Sequence, residues 1–195
     1  MDKQEVISFF DRAASEWDSH LVVDERKIDC ILAAVGELHG RTALDVACGT
    51  GVLFPYYLQR GAAQVIGVDI SPEMARIAAD KQQDPRVKVL CDDIETVPVL
   101  QQCDCCVVYN AFPHFANPER LAAALAEWTK PDGRVVIAHS MSLKDLQRHH
   151  AGQAKRVSRK MLSVGEMQAL LSPWFVVDTM VSDEEKYIVA GTRRK

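Results

Sequence analysis

The stretch at residues 43–51, A-L-D-V-A-C-G-T-G, constrains the fold more than any other part of this chain. It joins an apolar run to a carboxylate and a two-glycine turn. Ala43, Leu44 and Val46 suit a strand buried on both faces, with Asp45 near its carboxyl end, where open α/β sheets place their ligands. Gly49 and Gly51 lack a Cβ, so the backbone there can turn sharply and bring its N–H groups close to a bound molecule. Residues 52–60 read as a short helix whose N-terminus points at the same spot.

The elements that follow repeat this unit. Ser71-Pro72-Glu73 opens a helix after a strand at 65–69: serine caps, proline suits the first turn, and glutamate complements the positive end of the dipole. Further strands are expected at 86–91, 103–109 and 135–140, with a helix at 118–129. Alternation of this kind implies a parallel sheet with helices on both faces, and right-handed crossovers reduce the alternatives to a doubly wound, Rossmann-like α/β fold. The tail differs: 175–181 and 186–191 are strand-like runs separated by Ser182-Asp183-Glu184-Glu185, which predicts a closing antiparallel hairpin. Upstream, helical spacing at 2–14 (Val6, Phe9, Phe10, Ala13) and 25–38 (Ile28, Ile31, Leu32, Val35) predicts two helices that cover the ligand end of the first strand.

At 195 residues the chain suits one domain, divided into an N-terminal helical cap (1–40), a ligand-binding core (41–140) and a lid segment with the closing hairpin (141–195). A net charge of −4 opposes a surface built to neutralise phosphates, so no nucleic-acid partner is expected. Without a signal-like or membrane-length apolar run, cytoplasmic residence is expected, as a monomer or homodimer. The six cysteines fall mostly in helix or strand patterns and are expected to be reduced thiols, including the C-D-C-C cluster at 103–106; no metal site is expected.

Asp45, Gly49 and Gly51, followed by the strand ending at Asp69, closely resemble the first motifs of class I S-adenosylmethionine-dependent methyltransferases. The resemblance implies a seven-stranded, mostly parallel sheet with a reversed C-terminal strand and S-adenosylmethionine as cofactor. Ala47 stands where that pattern often has its first glycine. The family's first turn surrounds the methionine part of the cofactor, which assigns Ala47, Gly49 and Gly51 to it and Asp45 to the amino group through water. Asp69 then receives the ribose hydroxyls, with Ile70 and Met74 beside it. The loop C-D-D-I-E-T-V-P at 91–98 resembles the family's acidic loop, with Asp93 taking the adenine amino group and Ile94 an apolar ring contact. Y-N-A-F-P-H-F at 109–115 resembles motif IV, with Asn110 where donor and acceptor meet; Ala111 and Phe112 replace the two prolines of the form that methylates planar nitrogens. The aromatic-rich leader resembles that of small-molecule members, and Phe10 or Trp17 can shield the sulfonium.

Histidines are the candidate general bases, since their pKa lies near neutrality. His114 follows motif IV, His139 ends the fifth strand, and His149 and His150 lie in the polar segment beyond it, only one of that pair facing inward. The expected activity is methyl transfer to a small-molecule nucleophile. Two rivals remain at this stage: an NAD-dependent oxidoreductase, opposed by Phe54 where a dinucleotide turn wants its third small residue, and a noncatalytic S-adenosylmethionine-binding module.

Overall fold

In a computed structural model the chain is described at residues 1–150 and 153–195, without the side chains of residues 149, 150, 153 and 154. Seven strands form one sheet: β1 (Thr42–Val46), β2 (Gln64–Asp69), β3 (Val87–Cys91), β4 (Cys103–Tyr109), β5 (Thr129–His139), β6 (Phe175–Ser182) and β7 (Tyr187–Arg193). Their order is β3-β2-β1-β4-β5-β7-β6, with β7 antiparallel to both its neighbours and the remaining pairs parallel. The expected Rossmann-like sheet with its reversed C-terminal strand is therefore present. The chain winds outward from β1 through β2 to β3, then returns to β4 on β1's other side. That reversal leaves a crevice beyond the carboxyl ends of β1 and β4.

The helices are α1 (Lys3–His20), α2 (Glu25–Val35), α3 (Phe54–Gln59), α4 (Pro72–Lys81), α5 (Pro118–Trp128), α6 (Leu143–His150) and α7 (Val164–Leu171). Side chains alternate across the strands, so Leu44 and Val46 join one core with Trp128, Leu125 and Leu171, while Ala43 joins the other with Phe54, Tyr57 and Ile31. The caps read from sequence form: Ser71 Oγ accepts from the Met74 amide at 3.2 Å ahead of Pro72. All six cysteines are unpaired.

Two boundaries and one placement differ from the sequence reading. α1 runs six residues past Ala14 to His20, because nothing between them is a glycine or proline. β5 starts at Thr129, which pairs with Cys103 before the Pro131-Asp132-Gly133 segment bulges out and pairing resumes at Arg134. α2 lies on the sheet face against β5 and β7, with Ile28, Ile31, Leu32 and Val35 buried there, so of the two N-terminal helices α1 is the one whose residues line the cavity at the ligand end.

Candidate functional site

The turn after β1 puts three residues in the left-handed region: Ala47 (φ 54°), Gly49 (φ 54°) and Gly51 (φ 80°). For Ala47 that conformation costs about 1 kcal/mol, so the strain persists only because Cys48 N–H is bonded to Val68 O at 3.1 Å and the turn is fixed around it. The two glycines serve different ends. A Cβ on Gly49 would meet nothing within 4 Å, since that position faces open space; one on Gly51 would lie 2.7 Å from the Phe54 ring. Phe54 also fills the space over Gly67, where a Cβ would sit 2.5 Å from its Cζ.

Asp69, at the end of β2, ties this turn to the next. Its Oδ2 accepts from Gly49 N–H at 2.8 Å and its Oδ1 from Ser71 N–H at 2.9 Å. Burial pushes the carboxyl up to about 6, against these two amides, and Asp11 adds to the rise. Each carboxylate oxygen can accept a second hydrogen bond, so Asp69 remains able to receive hydroxyl donors.

α1 closes the crevice and is latched to the rim at three places. Near its start, Lys3 Nζ bonds both Asp93 Oδ2 and, at 2.7 Å, Glu95 Oε2. Burial alone would lower the Lys3 ammonium, but the two carboxylates outweigh it and raise it. Midway, Asp11 Oδ1 accepts from Ser71 Oγ and from the Glu73 amide at 3.2 Å. Toward the end, Asp18 accepts from Thr50 Oγ1 and Lys81 Nζ, each at 2.6 Å.

The space enclosed is a cavity of about 1090 Å³, mouth included. One end is acidic, with Asp69, Asp92, Asp93 and Glu95 beside Ile70 and Ile94. The other end is apolar and aromatic, lined by Phe10, Trp17, Tyr109 and Phe115 together with His114. Phe10 stands edge-on to both Trp17 (ring centroids 5.7 Å) and His114 (4.9 Å). Between the ends, Asn110 adopts φ 54°, tolerable for asparagine, and its side chain accepts from Ser140 N–H at 2.9 Å and donates to Ser140 Oγ at 3.1 Å. His114 Nδ1 lies 2.8 Å from Val157 O. A carbonyl only accepts, so Nδ1 donates in this contact.

Of the residues singled out from sequence, Trp17, Ala47 and Gly49 line this cavity, as do Asp69, Ile70 and Met74, Asp93 and Ile94, and Asn110 and His114. Three others do not. Asp45 is sealed behind the turn, because it shares Ala43's side of β1 and faces the α3 layer; burial, then the charge of Asp69, push its carboxyl well above the usual range, against the Tyr57 hydroxyl. Gly51 borders a neighbouring groove with Tyr56 and Lys81. His139 is fully buried beside Tyr187, their ring centroids 6.2 Å apart. The side chains of His149 and His150 lie outside the described residues. Sequence reasoning missed Lys3 and Glu95, whose partnership spans 92 positions and leaves no local pattern. Among the described residues no group of three His, Cys, Asp or Glu is placed to hold a metal, and no helix is long and apolar enough to cross a membrane.

Residues 44–137 match the sequence family described as a methyltransferase domain. That segment, just under half of the chain, is similar in sequence to methyltransferase domains. Among curated relatives, an Acinetobacter baylyi ubiquinone biosynthesis O-methyltransferase is 28% identical over 149 residues, covering 71% of this chain and 62% of the relative. A Xanthomonas axonopodis ribosomal protein L11 methyltransferase is 32% identical over 167 residues, covering 84% and 46%. The chain thus spans roughly half of such relatives' length. Among solved structures, the Haloferax volcanii methyltransferase in complex with the Trm112 activator superposes with TM-score 0.81 at 17% identity, covering 95% of this chain and 98% of that one. Magnesium protoporphyrin IX methyltransferase from Synechocystis, solved with S-adenosylhomocysteine, gives 0.76 at 19% identity, covering 99% and 100%. These likenesses establish the methyltransferase fold.

Proposed function

We propose that the protein moves the sulfonium methyl of S-adenosylmethionine to a small-molecule nucleophile and releases S-adenosylhomocysteine. The observation that carries this reading is one continuous cavity running from an acidic end, suited to adenosine hydroxyls and amines, to an aromatic end with a histidine whose ring is oriented by the Val157 carbonyl. S-adenosylmethionine, when bound, supplies an electrophilic methyl on a positively charged sulfur.

The chain's residues fit that group. Asp69 accepts the ribose hydroxyls, and the open space over Gly49 admits the methionine portion past a backbone with no Cβ in the way. Asp93 and Ile94 border the adenine. Phe10 and Trp17 offer ring faces and edges to the sulfonium and, with α1 latched above, exclude water from the aromatic end. His114 serves as the base for the acceptor's proton, while its Nδ1–H on Val157 O keeps the ring oriented. Enclosure under α1 favours a diffusible acceptor, used in the cytoplasm by a monomer or homodimer. Holding donor and acceptor in line supplies the larger part of the acceleration, with effective molarities on the order of 10⁵ M or more, and a base adds about 10²- to 10⁴-fold where the acceptor must lose a proton. Phe54, wedged between Gly51 and Gly67, opposes the dinucleotide alternative, because the third small residue of such a turn is replaced by a buried ring.

Calorimetric titration with S-adenosylhomocysteine and with NAD, followed by methyl-transfer assays across phenols, carboxylates, thiols and amines, tests the reading. Product binding together with transfer to one of these classes is expected. NAD binding without S-adenosylhomocysteine binding would turn the assignment to an oxidoreductase, and product binding without transfer to any class would make the protein a noncatalytic module.

A further inference from the structure

The segment after α6 carries positive charge that the fold leaves uncompensated. Residues 155–160 read K-R-V-S-R-K, four cations and no acid in a chain whose net charge is −4. Elsewhere Arg60, Arg76, Arg86, Arg134 and Arg148 each hold a carboxylate, whereas among the described residues Lys155, Arg156 and Arg159, like Arg12 on α1, form no ion pair. The segment is fixed beside the candidate base: Val157 O lies 2.8 Å and Ser158 Oγ 3.2 Å from His114 Nδ1, and Arg159 N–H donates to Pro113 O at 2.8 Å. Between it and α1 runs an open groove of about 740 Å³, in which Arg12 and Arg156 border the apolar pair Phe9 and Val157, with Gln4, Glu5 and Ser8 completing the lining. Val157 belongs to both places: it lines the groove, and its carbonyl meets the ring of His114.

We propose that this groove receives a carboxylate carried by the acceptor, with Arg12 and Arg156 as the residues that select it. The inference rests on the proposed function and adds the acceptor's charge to it. Like charges held together repel one another, so a cluster that no acid of the chain neutralises favours an anion from outside. Arg12 and Arg156 against Glu5 leave one net positive charge in the groove, which a single carboxylate matches, and the planar donors of a guanidinium suit its two oxygens. Phe9 and Val157 supply apolar surface for the acceptor's body, and Val157 joins that surface to the ring of His114. The two substrates are thereby separated by charge. The acidic end of the cavity meets the donor, whose sulfonium and ammonium outweigh its carboxylate, and the basic groove lies behind the aromatic end.

The test measures methyl transfer to matched acceptors of whichever class the protein methylates, such as 4-hydroxyphenylacetate against its amide or 3-mercaptopropionate against its amide, so that charge changes while the nucleophilic atom stays. kcat/KM is expected to favour the carboxylate about three- to tenfold at low salt, within what two solvent-exposed ion pairs supply. That preference should shrink as sodium chloride rises from about 20 mM to about 300 mM. Arg12→Gln and Arg156→Gln are each expected to reduce it at least about twofold, through KM, and the double variant to abolish it. Lys88→Gln removes an equal charge from the edge strand β3, away from the groove, and is expected to keep the native ratio. If Lys88→Gln lowers the ratio as much as the arginine variants do, the preference belongs to the protein's overall field and the inference falls. Equal kcat/KM within a methylated pair, or a native ratio in the double variant, overturns the inference while leaving the proposed function intact. Transfer to no acceptor class removes the proposed function itself, and the inference with it.

Discussion

Replacing Asp69 with asparagine should separate what this residue does for the fold from what it does for the ligand. Its carboxyl is 7% exposed and pushed from an ordinary 3.8 to about 6, so keeping it ionised at pH 7 costs the native state about 3 kcal/mol. Asparagine removes that cost. It also turns one of the two acceptors facing the Gly49 and Ser71 amides into an N–H donor, which leaves one buried amide unpaired at a cost of about 1–3 kcal/mol. The two effects oppose each other, and urea unfolding at pH 7 is expected to place Asp69→Asn within about 2 kcal/mol of the native protein, on the stabilised side of zero. Ligand binding should behave differently, because a charged acceptor for ribose hydroxyls is lost: calorimetry with S-adenosylhomocysteine is expected to show affinity reduced by about 10- to 150-fold. The pH dependence gives a second check. A native carboxyl that titrates above its unfolded value binds a proton on folding between about pH 4 and pH 6, so the native protein gains stability as pH falls through that window and loses it as pH rises. Asp69→Asn should lack that gain. Unchanged affinity in the variant, or parallel stability profiles for both proteins from pH 6 to pH 4, would refute the reasoning.

Three further outcomes are expected. In the native protein the ionised form of Asp69 receives the ribose, so calorimetry across pH should show affinity for S-adenosylhomocysteine weakening below about pH 6, with proton release on binding near that pH; a flat profile from pH 5 to pH 8 would contradict it. Gly51→Ala places a Cβ 2.7 Å from the Phe54 ring at φ 80° and should destabilise by about 2–4 kcal/mol in urea unfolding, whereas Gly49→Ala, with open space around its Cβ, should lose only about 1 kcal/mol of stability but more than tenfold in ligand affinity; equal stability losses would show that the ring is not the obstacle. His114→Phe, which keeps a ring against Phe10 and removes the base, should lower kcat by about 10²-fold or more toward an acceptor that must lose a proton while leaving S-adenosylhomocysteine affinity within about twofold; parallel losses would make the residue part of the donor site.

The fold was legible because its signals are local and mutually consistent. The β1 run into Gly49 and Gly51, the Ser71-Pro72 cap and the strand–helix alternation all point to the same sheet. The site was legible where a residue's backbone position settles its direction, as at Gly49, Asp69 and Asn110, each at the carboxyl end of a strand and each lining the cavity. It was misread where strand alternation decides. Asp45 and His139 sit at or near strand ends in sequence, yet period two turns the first toward the α3 layer and the second toward Tyr187. Lys3 and Glu95 were beyond reach for a different reason: their meeting depends on how α1 lies across the sheet, and no local spacing encodes the angle of a helix that begins well before the first strand.

The division between what is shared with relatives and what is particular to this chain follows the same physical line. The matched segment, 44–137, holds the two carboxyl-end turns and the acidic loop, to which the proposed function gives the donor molecule, and it also holds His114. Phe10, Trp17 and the Val157 carbonyl that orients His114 lie outside it, on α1 and on the segment following α6. These pieces meet one another directly: Val6 of α1 packs against Val157, with Phe9 and Phe10 alongside. The aromatic end of the cavity therefore joins Phe10 and Trp17 of α1 to Tyr109, His114 and Phe115 at and beyond the end of β4, with the segment after α6 packed behind them. Exchanging Val157 for a larger or smaller apolar residue should shift acceptor KM with donor affinity unmoved; a variant in which both move together would show that the two halves of the cavity are not separable.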